Sequence, residues 1–337
     1  MMNFFKVLFI TILISSTMIS ISALSWFTAW IGLEMNLLAI IPMMKTDSNK
    51  LSAEASIKYF IIQSMASSSL LFATVLFSSV TLLDLNLLIN PSLMINSTLI
   101  LKMGAAPLHF WLPEVISGLE WNLVFIILTW QKIAPMILLS YCLKSSYLLS
   151  TVIISSSIIG GILGLNQICL RKIMAYSSIN HMGWMLASML SSLNLWFYYF
   201  FIYTLMNLNI MAMFHKYHSF YLNQLSKMLS FNKNLKFFFM LNFLSLGGLP
   251  PFVGFLPKWL TINYLINVGQ PALSFILVIF TLLALFFYTR MTFSSLTLST
   301  WEPQTKLQFK NFKSWQFMIN LLILFSLPLY FFTSSTF

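Results

Sequence analysis

Apolar runs of about 20 residues follow one another along the chain, and the connections between them are mostly short. A membrane hydrocarbon core of about 30 Å needs about 20 apolar residues in a helix. The pattern therefore predicts an all-α polytopic membrane protein with eleven spans. They lie at roughly 4–22, 24–44, 55–80, 92–116, 121–143, 147–166, 172–192, 195–215, 235–267, 272–293 and 314–333.

Composition and charge agree with this interpretation. The chain is 59% hydrophobic and 7% charged, whereas an ordinary soluble protein is about 25% charged. Of the 18 Lys and Arg residues, 14 lie at the N-terminus or after even-numbered spans, and only Lys144 lies after an odd-numbered one. Positive residues collect on the side of synthesis. The N-terminus is therefore predicted on that side and the C-terminus opposite, and the net charge of +11 indicates topology, not nucleic-acid binding.

Four charged residues interrupt the apolar runs, namely Glu34, Lys102, Lys132 and Lys258. A lysine at the centre of a membrane helix costs roughly 2.5–3.5 kcal/mol on insertion scales. We interpret the four as a proton or ion path, with an ion pair between Glu34 and Lys102 as a switch. The alternatives are a static pair and lysines that extend to the membrane interface.

Two spans share a helix-breaking pattern. Gly104 is followed by Pro107, and Gly248 is followed by Pro250 and Pro251, with the two glycines 144 residues apart. Irregular backbone within a membrane is tolerated where it is buried or lines a cavity, and paired interruptions in two halves mark transport sites. The alternative is two unrelated kinks.

The broken spans are the fourth and the ninth, so the two copies would cross the membrane in opposite directions. We therefore predict a single membrane domain over 1–337 with an inverted repeat. The first copy covers 1–145, the second covers 146–294, and 295–337 adds a loop and a C-terminal helix.

Three further residues are candidates for the same path. His109 and His181 could relay protons or could be hydrogen-bonded packing residues. Glu114 is either an acid in a half-channel or an interfacial helix cap. Cys142 and Cys169 form no CxxC or Cys/His cluster, and no glycine-rich nucleotide motif is present. We therefore expect no metal or redox cofactor on this chain.

Several motifs carry a resemblance to a known family. GLEMNLL surrounds Glu34, LKMGAAPLHFWLPEV contains Lys102, TWQKIAP contains Lys132, and LGGLPPFVGFLPKW contains Lys258. Together with LRKIMAYSSINHMGWML, they are similar to the antiporter-like subunits of respiratory complex I over about residues 24–294. Bacterial members have fourteen helices, of which the first three have no counterpart here, as in animal mitochondrial members.

The resemblance implies a proton-translocating role in the membrane arm of an NADH:ubiquinone oxidoreductase. It places the helix-two glutamate at Glu34, the broken-helix lysine at Lys102, the central lysine at Lys132 and the exit-side lysine at Lys258. Other subunits, including further antiporter-like ones, would carry FMN and iron–sulfur clusters and bind ubiquinone.

The implied location is the mitochondrial inner membrane, with the N-terminus on the matrix side and the C-terminus on the intermembrane-space side. Cardiolipin is among the lipids that the basic span ends could contact. Two alternatives remain: a subunit of an Mrp-type cation/proton antiporter, and a structural spacer that conducts nothing.

Overall fold

The computed structural model describes residues 4–45, 49–83, 91–142, 146–225, 233–250 and 252–297. Apart from one bridge between Cys169 and Tyr221, the regular structure of these residues is helical. The main helices are α1 (Phe4–Ile21), α2 (Trp26–Met44), α3 (Lys50–Leu83), α4 (Pro91–Met103), α5 (Trp111–Gly118), α6 (Trp121–Leu128), α7 (Trp130–Ser140), α8 (Ser146–Gly164), α9 (Leu170–Ser191), α10 (Leu193–Tyr217), α11 (Lys233–Gly247), α12 (Phe255–Asn267) and α13 (Pro271–Thr297).

Within the described ranges, seven helical segments are long and apolar enough to cross a membrane by length and composition. They comprise α1, α2, α3, α6 with α7, α8, α10 and α13. The broken helices consist of segments of 8 to 15 residues. The predicted eleventh span, 314–333, lies outside the described residues.

The predicted fifth span differs from the structure. It was expected as one helix over 121–143, but α6 and α7 are separate and meet at Thr129. The hydroxyl of Thr129 donates to the carbonyl of Phe125 at 2.6 Å, a contact that bends helices. Pro135 lies inside α7 and cannot donate a backbone hydrogen bond to Gln131, which further weakens this segment.

The chain forms two compact units, residues 1–155 and 156–337, and the boundary falls within α8. In the first unit α1 packs along α2, α3 packs against α2, α4 and α5, and α7 packs against α4. Ser25 caps α2 by accepting from the backbone N–H of Thr28. The indole of Trp30 donates to the carbonyl of Ser67 at 3.0 Å and so joins α2 to α3.

In the second unit α9 is the central helix. Nearly all of its residues from Ile173 to Met189 are buried, including polar Ser177, Ser178 and Asn180. It packs against α10, α12 and α13. A helix that is surrounded by protein can carry polar side chains because they find partners there.

Both predicted helix breaks are present, and each begins with the same backbone motif. Gly104 has φ +70° and Gly248 has φ +79°. After α4, Gly104 N–H donates to Leu101 and Ala105 N–H donates to Ile100, the two bonds of a Schellman motif. Such a motif needs a left-handed residue, which glycine adopts without strain.

The second break repeats that pattern. After α11, Gly248 N–H donates to Ser245 and Leu249 N–H donates to Leu244. In both breaks seven residues separate the end of one helix from the start of the next, α5 or α12. Pro107 and Pro250 lie in these breaks, whereas Pro251 lies outside the described residues.

Candidate functional site

Lys102 lies in the last turn of α4, immediately before the first break, and is 6% exposed. Its backbone carbonyl accepts from the amide of Gln63 at 3.2 Å. A cavity of about 20 Å³ adjoins it, lined by Leu33, Asn36, Leu37, Tyr59, Gln63, Lys102, Gln131 and Pro135. A polar cavity needs about 10–15 Å³ to hold a water molecule. The space beside Lys102 therefore fits one water.

A chain of polar side chains borders this cavity. Tyr59 donates to Gln131 at 3.4 Å, and Gln131 donates to Asn36 at 2.9 Å. These bonds connect α3, α7 and α2. Asn36 and Gln131 were not predicted as site residues, although each interrupts an apolar run within two residues of one. Tyr59, the first donor in this chain of hydrogen bonds, is buried, with 3% of its surface exposed.

Glu34 lies on α2 and is half-buried. Among the described residues the ion pairs with N···O of 4.0 Å or less join Lys58 to Glu54 and to Glu114. Glu34 and Lys102 therefore do not form the predicted direct ion pair in this structure.

Glu114 occupies the first turn of α5, where a negative charge is favourable. It accepts from Lys58 at 3.0 Å, and both side chains are partly exposed. The contact joins α3 to α5. The described geometry thus gives Glu114 an anchoring contact at the start of a helix.

Lys132 lies in α7, directly after Gln131, and is 1% exposed. Its side chain is enclosed by protein within the first unit. Lys102 is similarly enclosed. Both lysines therefore sit where a charge is costly unless protein or water surrounds it.

Lys258 lies in the first turn of α12, just after the second break, and is 8% exposed. Its ammonium group donates to the carbonyl of Gly247 at 2.8 Å and to that of Leu246 at 3.4 Å. The indole ring of Trp184 is 5.9 Å from the same nitrogen. Lys258 therefore binds the end of the preceding helix instead of reaching the membrane interface.

The two candidate histidines are both buried and hydrogen-bonded. Nδ1 of His109 donates to the carbonyl of Pro107, 3.2 Å away, within the first break. Nδ1 of His181 lies 2.9 Å from the hydroxyl of Tyr199, and its ring is 5.2 Å from that of Tyr203. Neither contact distinguishes a relay from a packing role. Tyr199 and Tyr203 had no signal in the sequence beyond their aromatic character.

Interrupted helices that carry buried lysines are a feature of membrane proteins that move ions. Residues 23–284 match the family described as NADH:quinone oxidoreductase/Mrp antiporter, transmembrane. The chain belongs to this family.

Similar curated proteins carry one shared name. "NADH-ubiquinone oxidoreductase chain 2" of Locusta migratoria is 46% identical over 294 residues, covering 87% of this chain and 86% of the relative. The protein of that name from Oryctolagus cuniculus is 40% identical over 325 residues, covering 93% and 92%.

Solved structures show the same fold at lower identity. A chain of respiratory complex I from Thermus thermophilus matches with a TM-score of 0.83 at 22% identity, covering 97% of this chain and 80% of that chain. A chain of the Mrp complex from a Dietzia species matches with a TM-score of 0.77 at 17% identity, covering 90% and 62%. These likenesses establish an antiporter-like membrane fold.

Proposed function

We propose that this chain is a core membrane-arm subunit of a mitochondrial NADH:ubiquinone oxidoreductase and that it translocates protons. The similarity of 46% over most of the chain to a protein named NADH-ubiquinone oxidoreductase chain 2 carries this proposal. The redox reaction belongs to partner subunits, which carry FMN and iron–sulfur clusters and bind ubiquinone. This chain contributes the membrane path that electron transfer drives.

The proposed path uses the four charges that the sequence singles out. Glu34 and Lys102 form the coupling pair in this proposal, although no direct ion pair joins them in this structure. The cavity beside Lys102 has room for a water molecule that could accept a proton from Lys102. Gln131 lines the same cavity and precedes Lys132 in the chain. Lys132 is the central carrier, and Lys258 passes the proton towards one side of the membrane.

A proton moves along this path by leaving one nitrogen and binding the next acceptor. When a lysine ammonium group releases a proton, the N–H bond electrons remain on nitrogen and the amine becomes neutral. Removal from water disfavours the charged form of each lysine. Buried lysines are therefore suited to exchange protons where an exposed lysine would stay charged.

We further propose the eleven-span topology with the inverted repeat over 1–145 and 146–294. The two breaks support it, because each is seven residues long, 104–110 and 248–254, and a proline is the third residue of the helix that follows each of them. In this proposal the N-terminus faces the matrix and the C-terminus the intermembrane space. Further antiporter-like subunits and lipids are the neighbours.

Two other functions compete with this one. An Mrp-type antiporter subunit would share the fold, as the Dietzia match indicates, but the curated relatives carry the complex I name. A structural spacer would gain stability from apolar residues in place of buried charges. The burial of Lys102, Lys132 and Lys258 argues against a spacer.

The test is native electrophoresis of gently solubilised membranes, stained for NADH oxidation, with mass spectrometry to locate this chain. We expect the chain to migrate with the NADH-oxidising band. Migration alone, or in a band without that activity, would contradict the proposal and favour an antiporter outside complex I.

A further inference from the structure

The ammonium group of Lys258 binds at the C-terminal end of a different helix. Its nitrogen donates to the carbonyls of Gly247 and Leu246, which belong to the last turn of α11. Carbonyls at a helix C-terminus have no partner in the helix and carry partial negative charge. A lysine ammonium group is therefore a fitting partner for them.

Gly248 leaves the space in which this ammonium group lies. A Cβ atom at Gly248 would be 2.8 Å from Cδ of Lys258 and 2.9 Å from Nζ. Real Cβ contacts are essentially never that short. Any larger residue would push the end of the Lys258 side chain away from the two carbonyls. The absence of a side chain at Gly248 thus sets the position of a charged group.

The first break shows the same arrangement with a different occupant. A Cβ at Gly104 would lie 3.0 Å from the indole of Trp111. That indole donates to the carbonyl of Leu101, and Gln63 donates to that of Lys102. Neutral donors therefore satisfy the end of α4, whereas an ionisable donor satisfies the end of α11.

We infer that the α11 carbonyl end and Gly248 form a cradle that positions the Lys258 ammonium group, and that Gly248 acts as a positioning residue for proton transfer at Lys258. The cradle consists of Gly248 and the carbonyls of Leu246 and Gly247. This inference rests on the proposed function, because it assumes that Lys258 carries protons. Proton release from the cradled group would leave a neutral amine with two N–H bonds, enough to keep the contact with Gly247.

The experiment is a double-mutant cycle in the intact complex. The variants are Gly248→Ala, Lys258→Ala and the two together, and the readout is protons translocated per NADH oxidised in sealed membrane vesicles. We expect Gly248→Ala alone to lower this ratio to the level of Lys258→Ala. In the Lys258→Ala background, Gly248→Ala should lower the ratio no further, since the ammonium group that the new Cβ would displace is gone. Such non-additivity is the signature of two residues that act as one unit.

Gly269→Ala is the matched control. Gly269 has the same φ of +79° and closes a Schellman motif after α12, but a Cβ there would meet nothing within 4 Å. It reproduces the backbone strain without touching Lys258, so it should leave the ratio at the wild-type value. A drop with Gly269→Ala equal to that with Gly248→Ala would overturn the inference.

The remaining outcomes are also decisive. If Gly248→Ala fails to assemble alone but assembles with Lys258→Ala, the clash is with Lys258 and the cradle is supported; failure in both backgrounds overturns it. If Lys258→Ala lowers the ratio while Gly248→Ala leaves it unchanged, the cradle is wrong and the proposed function stands. If Lys258→Ala leaves the ratio unchanged, Lys258 does not transfer protons, and both its proposed role and the cradle inference are wrong.

Discussion

Lys132 is 1% exposed and lies among helices that the sequence predicts to cross a membrane. Replacing it with methionine keeps an unbranched side chain that is one atom shorter and removes the charge. Because a central lysine costs roughly 2.5–3.5 kcal/mol on insertion scales, we expect Lys132→Met to insert and assemble at least as well as the wild type. Protons translocated per NADH oxidised should nevertheless fall.

The control for this prediction is Lys50→Met, the same substitution at an exposed position in the first turn of α3. It should leave the ratio unchanged. An assembled Lys132→Met complex that pumps at the wild-type ratio would exclude Lys132 as the central carrier.

Gln131 supports a second prediction at the residue scale. Gln131→Leu would leave Asn36 without this donor and Tyr59 without this acceptor. A lost buried hydrogen bond costs about 1–3 kcal/mol when a partner is left unsatisfied, so the complex should dissociate at a lower temperature, followed on native gels. The side-chain amide of Gln167 donates to the carbonyl of Leu163, four residues earlier, so Gln167→Leu removes only a local bond and should shift that temperature less. Equal shifts would show that the polar chain adds no stability.

A buried lysine is easier to recognise as a candidate site residue in the sequence than a buried amide side chain. Lys102, Lys132 and Lys258 stand out because a charge in an apolar run is costly. Asn36 and Gln131 cost less there, so their presence alone indicates little. Only the packing of α2 against α3 and of α7 against α4 shows that they share a cavity.

At the scale of elements, helix positions follow closely from the apolar pattern. The ends of α1, α2 and α9 lie within about two residues of their predicted bounds. The separation of α6 from α7 was not predictable, because it depends on the hydroxyl of Thr129 returning to the backbone. The glycine and proline spacing did predict both breaks, because the same spacing occurs twice and irregular backbone in mid-membrane is tolerated only at buried or cavity-lining places.

Arg290 gives a prediction about helix ends. Its guanidinium donates to the carbonyls of Leu165 and Gln167 at 2.6 and 2.7 Å, just beyond the end of α8. Hydrogen bonds from charged groups contribute about 1.5–3 kcal/mol. Arg290→Gln should therefore lower the temperature at which the complex dissociates. Arg290→Lys, which keeps the charge but loses the fork, should give an intermediate value, and identical values for all three would refute the capping role.

At the scale of the whole molecule, the motifs predicted the family of the protein, whereas the composition predicted only its class. Hydropathy and charge establish a multi-span membrane protein, but they do not distinguish a carrier from a spacer. The combination of motifs led to the antiporter-like family, which the match over residues 23–284 confirms. The packing within each unit could not be predicted, because it depends on contacts between helices far apart in sequence, such as α4 with α7.

A carrier and a spacer predict different numbers of protons translocated per NADH oxidised when all four charges are removed. The combined variant Glu34→Gln, Lys102→Met, Lys132→Met, Lys258→Met removes three buried lysines, which together cost roughly 8–10 kcal/mol on insertion scales if nothing compensates them. Either function permits the variant chain to insert and the complex to assemble. A spacer would keep the wild-type number of protons translocated per NADH oxidised, whereas a carrier would lose its share. We expect the ratio to fall in a complex that still assembles, because buried charges persist at a stability cost where function requires them. A wild-type ratio in this variant would identify the chain as a spacer.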